Sequence, residues 1–215
     1  MDNGKLVIIS GFSGVGKGTI ISQLMDRHKG DYVFSISATT RKPRPGEQDG
    51  REYFFVSIDE FEKMIAEKKL LEYTRYGENY YGTIASQVDK LISHGKTVIL
   101  DIEVNGMKQV RSIRDDALTV FVIPPSSDDL IGRLNERGTE NKDQLLRRLA
   151  RAIEEANFVG EYDFVLQNIN LNEAVNELDE FVINGTNNLE IRNANIELTK
   201  LISEGIKRHI KGGDF

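Results

Sequence analysis

Short continuous apolar runs alternate with helical patterns along most of this chain. Leu6-Val7-Ile8-Ile9, Thr97-Val98-Ile99-Leu100, Leu118-Thr119-Val120-Phe121-Val122-Ile123 and Tyr162-Asp163-Phe164-Val165-Leu166 lack the strict alternation of a half-solvated strand. Such runs suit strands buried on both faces of a parallel sheet. Between them, apolar residues recur at helical spacing: Ile20, Ile21 and Leu24, then Leu145, Leu146, Leu149, Ile153 and Phe158 in a helix expected over 143–159. Ala174, Val175, Leu178 and Phe181 predict a further helix, with Asn172 as its cap and Gly185 just past its end. This rhythm is that of βαβ units and predicts an α/β fold with a doubly wound parallel sheet.

The pattern changes between about Ala38 and Gly95. Short aromatic-rich strands are expected at 52–56, 70–76 and 79–83, with turn residues at Pro43, Pro45, Gly46 and Gly50. Ser57-Ile58-Asp59-Glu60 has capping-box spacing ahead of Phe61, Met64 and Ile65. A small α+β insertion therefore occupies 38–95, and the core is expected to comprise 1–37 and 96–185. Within the core, an arginine-rich excursion at about 132–148 reads as a helical lid. Residues 186–215 form a helical extension with Leu198, Leu201, Ile202, Ile206 and Ile210 on one stripe, for packing on its own core or in a homodimer.

Composition narrows the function. The 215 residues contain no cysteine, which excludes disulfides and thiolate metal sites and fits a reducing compartment. The net charge of −6 argues against broad nucleic-acid binding, which needs a basic face. No stretch is long enough to span a bilayer, and the N-terminal residues lack the apolar region of a signal peptide, so a cytoplasmic protein is expected.

Gly11-Phe12-Ser13-Gly14-Val15-Gly16-Lys17 follows the first strand and opens a helix, the setting of a P-loop. Glycines permit a tight turn whose backbone N–H groups, from Gly11 and Ser13 through Gly18 and Thr19, surround phosphate oxygens. Lys17 then reaches the β- and γ-phosphates, with the helix N-terminus adding partial positive charge. Gly18 stands where the Mg²⁺-binding Ser or Thr is usual, so Mg²⁺ is expected at Thr19 or, through waters, at an acid. A Gly-rich turn with a surface lysine is the plainer reading, and the strand before and helix after argue against it.

The acceptor can be read from the cations. A nucleoside monophosphate is largely dianionic at neutral pH, with a second pKa of about 6. Such an acceptor needs positive charge to overcome repulsion, and no general base. Arg41, Arg44 and Arg51 fall in the insertion, and Arg133, Arg137, Arg147 and Arg148 in the lid region. The three histidines, His28, His94 and His209, lie near predicted helix ends and read as structural.

Ser37-Ala38-Thr39-Thr40-Arg41-Lys42-Pro43-Arg44-Pro45-Gly46-Glu47, followed by Gly50-Arg51-Glu52-Tyr53-Phe54-Phe55, strongly resembles the signature of guanylate kinases. Asn79-Tyr80-Tyr81-Gly82-Thr83, Asp101-Ile102-Glu103-Val104-Asn105-Gly106 and the stretch from Arg133-Leu134 to Arg137-Gly138-Thr139-Glu140 extend the likeness, which runs from about Lys5 to Ile183. The resemblance implies transfer of the γ-phosphoryl group of MgATP to GMP or dGMP, in purine nucleotide metabolism. It implies that Arg41, Arg44, Tyr53 and Tyr81 hold the GMP phosphate, that Ser37, Glu72 and Thr83 read guanine, and that Glu103 lies near the base. It likewise implies Asp101 as the acid serving Mg²⁺, and Arg133, Arg137 and Arg148 as the arginines closing over the ATP phosphates. Guanine presents N1–H and the N2 amine side by side, so one carboxylate such as Glu72 can accept both, whereas adenine would leave it unpaired. Hydroxyls of Ser37 and Thr83 can donate to guanine O6.

The chain departs from the family at Phe12 for proline, Asn105 for glutamine, and Gln167-Asn168-Ile169 for the usual Asn-Asp pair, which touches the adenine contact. Two other readings share the fold: a non-catalytic protein-binding module, and a kinase acting on a different phosphate acceptor. Retention of Lys17 and the arginines argues against the first, and Glu72, Ser37 and Thr83 against the second.

Overall fold

The computed structural model describes residues 4–136, 142–185 and 187–212. Arg137 and the Gly138-Thr139-Glu140 stretch expected in the lid lie outside the described residues. Strand β1 (Leu6–Gly11) passes through a tight loop into helix α1 (Lys17–Arg27), followed by β2 (Tyr32–Phe34), β3 (Ala38–Thr39) and β4 (Phe54–Phe55). Then come α2 (Ile58–Ala66), β5 (Leu70–Tyr76), β6 (Asn79–Ile84), α3 (Ala85–Ser93), β7 (Thr97–Asp101), α4 (Val104–Arg111) and β8 (Leu118–Ile123). Helices α5 (Ser127–Glu136) and α6 (Lys142–Ala156), a 3-10 turn at Val159–Glu161, β9 (Phe164–Gln167), α7 (Leu171–Asn184) and α8 (Leu189–Gly212) complete the order.

The main sheet has the order β2-β7-β1-β8-β9, and a smaller sheet the order β4-β3-β6-β5. The β2–β7 and β8–β9 pairs are parallel, as the continuous apolar runs require. This is the expected α/β architecture with a parallel central sheet. The chain divides into two compact units, residues 1–8 with 28–117 and residues 9–27 with 118–215.

In the first unit, Ala38, Phe61 and Leu70 form a small core beneath the second sheet, with Phe54, Met64, Ile65, Tyr80 and Ile84 packed around it. Phe61 reaches this core because α2 is amphipathic and starts at a complete capping box. Ser57 Oγ accepts from the Glu60 N–H, and the Glu60 carboxylate accepts from the Ser57 N–H. The strand expected at 52–56 is confined to Phe54–Phe55. Its first residues are held in a turn, where the Gln48 N–H donates to the Glu52 carboxylate at 2.8 Å and the Arg51 N–H to Gln48 O at 3.2 Å.

In the second unit, Phe12, Phe121 and Tyr162 pack edge-on in sequence, with centroid spacings of 5.2 and 5.1 Å. Helix α7 begins two residues earlier than the spacing predicts. Asn170, in extended backbone, accepts from the N–H groups of Asn172 and Glu173, which makes it the cap instead of Asn172. Gly185 ends the helix in the left-handed conformation, as expected.

Helix α8 packs within its own unit against α5, α6 and β9. Ile202 and Ile206 of the predicted stripe are buried, but Leu201 is 62% exposed. The buried face is completed by Asn195, Thr199 and Ser203. Asn195 Nδ2 donates to Val165 O of β9 at 2.8 Å, and Arg192 Nε donates to Tyr162 O at 2.9 Å. Gly205 marks a close crossing with α5, because a Cβ there would lie 2.7 Å from Ser127 Cβ. Gly205→Val is therefore expected to destabilise the fold by about 1–3 kcal/mol through overpacking. In a chain of this size that lowers the thermal midpoint by roughly 2–10 °C. A calorimetric midpoint equal to that of the parent would show that α8 does not rest on α5.

Candidate functional site

The loop between β1 and α1 is built as a cradle. Phe12 is fully buried and edge-on to Phe121, so the residue that departs from the expected proline anchors the loop in the core. The Val15 N–H donates to Phe12 O at 3.1 Å and closes a turn, with Gly14 at φ 88° and Gly16 at φ 97°, where side chains are strained. Lys17 opens α1, and its Nζ donates to Gly11 O at 3.0 Å.

Two side chains fix the loop from outside. The Val15 carbonyl accepts from Asn168 Nδ2 at 2.8 Å and from Arg133 Nη1 at 3.1 Å, and Arg133 Nη2 also donates to Asn168 O at 3.2 Å. In a trans peptide the carbonyl and the next N–H point in opposite directions. Pinning the Val15 carbonyl on Asn168 and Arg133 thus aims the Gly16 N–H the other way. Gly18 and Thr19 are exposed in the first turn of α1, and a Cβ on Gly18 would meet nothing within 4 Å. Arg148 is half-buried on α6 and Arg147 exposed.

The first unit contains a cavity of about 250 Å³ lined by Ser37, Tyr53, Glu72, Thr74, Tyr81, Gly82, Asp101, Ile102, Glu103, Asn105 and Gly106. Ser37, Tyr53, Glu72, Tyr81 and Glu103, five of the residues singled out for acceptor binding, thus share one wall space, with Asp101 beside them. Glu72 is only 6% exposed, an unusual place for a carboxylate. It lies directly opposite Thr83 in the antiparallel β5–β6 pair, after a register shift between Leu70 and Glu72. The shift lets Leu70, Leu71 and Glu72 all turn inward in succession. Thr83 Oγ1 donates to Glu72 Oε1 at 2.7 Å. Burial pushes the Glu72 carboxyl above its ordinary value, opposed by the Thr83 hydrogen bonds and assisted by the nearby Glu103 charge.

The opposite wall is tied to β5 by a residue without any motif signal. Gln109 on α4 accepts from the Tyr73 N–H at 3.1 Å and donates to Tyr73 O at 3.0 Å, a two-point clamp on the strand carrying Glu72. Gly106 leaves room for the carboxylate, since a Cβ there would stand 3.1 Å from Glu72 Oε2. At one end of the cavity, Tyr53 and Tyr81 meet edge-on at 6.0 Å. The Arg41 guanidinium lies over the Tyr53 ring at 5.4 Å and pairs with Glu47, while Arg44 is exposed.

Among the described residues, no group of three or more His, Cys, Asp or Glu is placed to hold a metal ion. Thr19 and Asp101 are each exposed oxygen donors. Also among the described residues, no helix is long and apolar enough to cross a membrane.

The family model of guanylate kinases matches residues 3–184. A guanylate kinase of Trichodesmium erythraeum is 43% identical over 182 residues, covering 85% of this chain and 97% of that protein. One of Prochlorococcus marinus is 46% identical over 174 residues, covering 81% of this chain and 94% of that protein. The crystal structure of guanylate kinase from Anaplasma phagocytophilum shares the fold, with a TM-score of 0.61 at 23% identity, covering 85% of this chain and 86% of that one. A chain matched along its phosphate loop and its cavity-lining segments alike, at this identity and over nearly the whole length of its relatives, belongs to the guanylate kinase family.

Proposed function

We propose that the chain binds GMP in the cavity around Glu72 and MgATP at the Gly11–Thr19 loop, and transfers the γ-phosphoryl group to give ADP and GDP. The observation carrying the acceptor assignment is the buried carboxylate of Glu72, held by Thr83 and facing a cavity of nucleobase size. A carboxylate in such a place is costly until it receives two donors, and guanine offers them at N1 and N2. Ser37 is then available to donate to O6. Thr83 uses its proton on Glu72, which leaves its lone pairs for a guanine N–H. Arg41, Arg44, Tyr53 and Tyr81 receive the phosphate of GMP, and Glu103 lies beside the base.

The chemistry needs no base, because the attacking phosphate oxygen already carries charge near neutral pH. That oxygen forms a bond to Pγ while the bond from Pγ to the β,γ-bridging oxygen breaks, and ADP leaves with the electron pair. Backbone N–H groups of the loop and Lys17 hold the donor phosphates. Arg133 and Arg148, with Arg137, supply charge to the equatorial oxygens as it accumulates. Arg133 and Asn168 also keep the loop in register through the Val15 carbonyl.

Thr19 and Asp101 suit Mg²⁺, which takes few protein oxygens and otherwise keeps waters and phosphate ligands. When bound, Mg²⁺ neutralises charge on the β- and γ-phosphates. A cytoplasmic location fits this reading, with nucleotide substrates and a cysteine-free chain.

The test is ADP formation from MgATP with GMP, dGMP, AMP, UMP and CMP offered separately. A strong rate with GMP and little with AMP is expected. Equal rates with GMP and AMP would remove Glu72 as the base reader, and no rate with any acceptor from folded protein would remove the kinase assignment.

A further inference from the structure

The segment from Arg41 to Glu47 closes on itself around one carboxylate. Glu47 Oε2 accepts from Arg41 Nη1 at 2.9 Å and Oε1 from Arg41 Nη2 at 2.9 Å, a bidentate pair with side chains 16% and 17% exposed. Oε2 also accepts from the Arg44 N–H at 2.7 Å, and the Glu47 N–H donates to Arg44 O at 3.0 Å. Pro43 and Pro45 fix φ within the loop, and Gly46 at φ 89° turns the chain back so that Glu47 meets Arg41. The loop is rooted in β3, where the Arg41 N–H donates to Thr39 Oγ1 at 3.2 Å and that hydroxyl donates to Tyr80 O at 2.9 Å.

We infer that Glu47 is a positioning residue, presenting Arg41 and Arg44 together to the phosphate of the acceptor nucleotide; this rests on the GMP site proposed above. The donor count supports it. A guanidinium has five N–H donors. Glu47 takes one on each Nη and the Lys42 carbonyl takes the other on Nη1, at 2.8 Å. What remains is Nε–H and one Nη2 hydrogen, the side-on pair that suits a second bidentate oxyanion. The Tyr81 hydroxyl lies near this guanidinium, whose face lies over Tyr53 and Phe55 at 5.4 and 5.7 Å. The end-on edge is therefore occupied by the protein, the face is packed on aromatic rings, and the side-on edge is kept for an oxyanion among Tyr53, Tyr81 and Arg44.

Charge alone would argue against a carboxylate here, because Glu47 cancels one of the cations that a dianionic phosphate needs. Its contribution is orientation, and small misplacements of a positioning group are expensive in rate. Glu47 stays ionised, because the Arg41 hydrogen bonds hold its carboxyl below the usual range.

The experiment compares the parent enzyme with Glu47→Gln, which keeps the length of the side chain but turns an NH₂ toward donors. The KM for GMP is expected to rise about 10- to 100-fold with the KM for ATP unchanged, the size expected from a lost bidentate charged pair. Guanosine, which lacks the phosphate, is the discriminating probe: its inhibition constant is expected to stay within twofold of the parent value. In a double-mutant cycle with Arg41→Ala, the effect of Glu47→Gln is expected to shrink by most of its size, because Glu47 acts through Arg41. An unchanged KM for GMP, an equal loss of guanosine and GMP, or fully additive effects with Arg41→Ala would each overturn the inference. A parent enzyme without GMP activity would instead overturn the reading of the site itself.

Discussion

Replacing Glu72 by glutamine is expected to raise the KM for GMP by about 10²- to 10³-fold while the KM for ATP stays within twofold. The carboxylate offers two acceptor oxygens to guanine N1–H and N2–H, and the amide offers one acceptor and a donor. One guanine N–H then faces another N–H in a buried place, and the surviving bond loses its charge. Losing a charge-assisted hydrogen bond and leaving a buried donor unpaired each cost about 1–3 kcal/mol, which together cover that range. AMP is expected to gain relative to GMP, because an amide NH₂ can donate to adenine N1. A variant with parental KM for GMP would show that Glu72 does not read the base.

The same substitution carries an opposite effect on stability. Burial raises the Glu72 carboxyl in the folded protein above its ordinary value, so the folded state holds this proton more tightly than the unfolded state. Stability from this group is then full below the unfolded value and falls as pH rises through the folded one, above which the desolvation cost stands in full. Glutamine carries no such cost and keeps an oxygen for the Thr83 hydroxyl. Without nucleotide, Glu72→Gln is expected to melt higher than the parent at pH 8, with the difference shrinking toward pH 4.5. A lower midpoint at pH 8 would mean that the carboxylate is a structural asset and not a group kept for its ligand.

The strand rhythm and phosphate loop were legible in the residues, because continuous apolar runs and glycine spacing are local signals. Strands β5 and β8 begin and end where the pattern puts them. Glu72 was not legible from periodicity, since alternation along β5 is broken by the register shift that turns Leu71 and Glu72 inward together. It could be singled out only through resemblance to a family. Asn168 and Gln109 carried no local signal either. Each acts on backbone distant in sequence, Asn168 on Val15 and Gln109 on Tyr73, and a single side-chain amide leaves no spacing to detect. On α8 the apolar stripe identified Ile202 and Ile206, but not Asn195 and Thr199, whose burial depends on hydrogen bonds to carbonyls. The capping box at Ser57 was readable because both partners lie within one turn.

Lys17→Met is expected to lower kcat by about 10³-fold or more, with the KM for GMP nearly unchanged. Removing a single preorganised neutral donor from a site of developing charge costs about 10²–10³ in rate, and a full positive charge at the transferring group is worth at least that. Fold effects are expected to be small. The loop does not depend on Lys17 for its shape: Phe12 is in the core, Gly14 and Gly16 hold the turn, and Asn168 with Arg133 pins the Val15 carbonyl. The bond from Nζ to Gly11 O lies at the loop edge, and losing it leaves one carbonyl there to be solvated. Methionine keeps the length and apolar stem of the side chain, so a drop in kcat with a thermal midpoint near the parental value isolates the charge. Lys17→Arg is not expected to restore the rate, because a planar guanidinium cannot replace a compact ammonium inside a ring of backbone N–H groups. A methionine variant retaining a tenth or more of the parental kcat would place the electrostatic burden on the arginines of α5 and α6 instead.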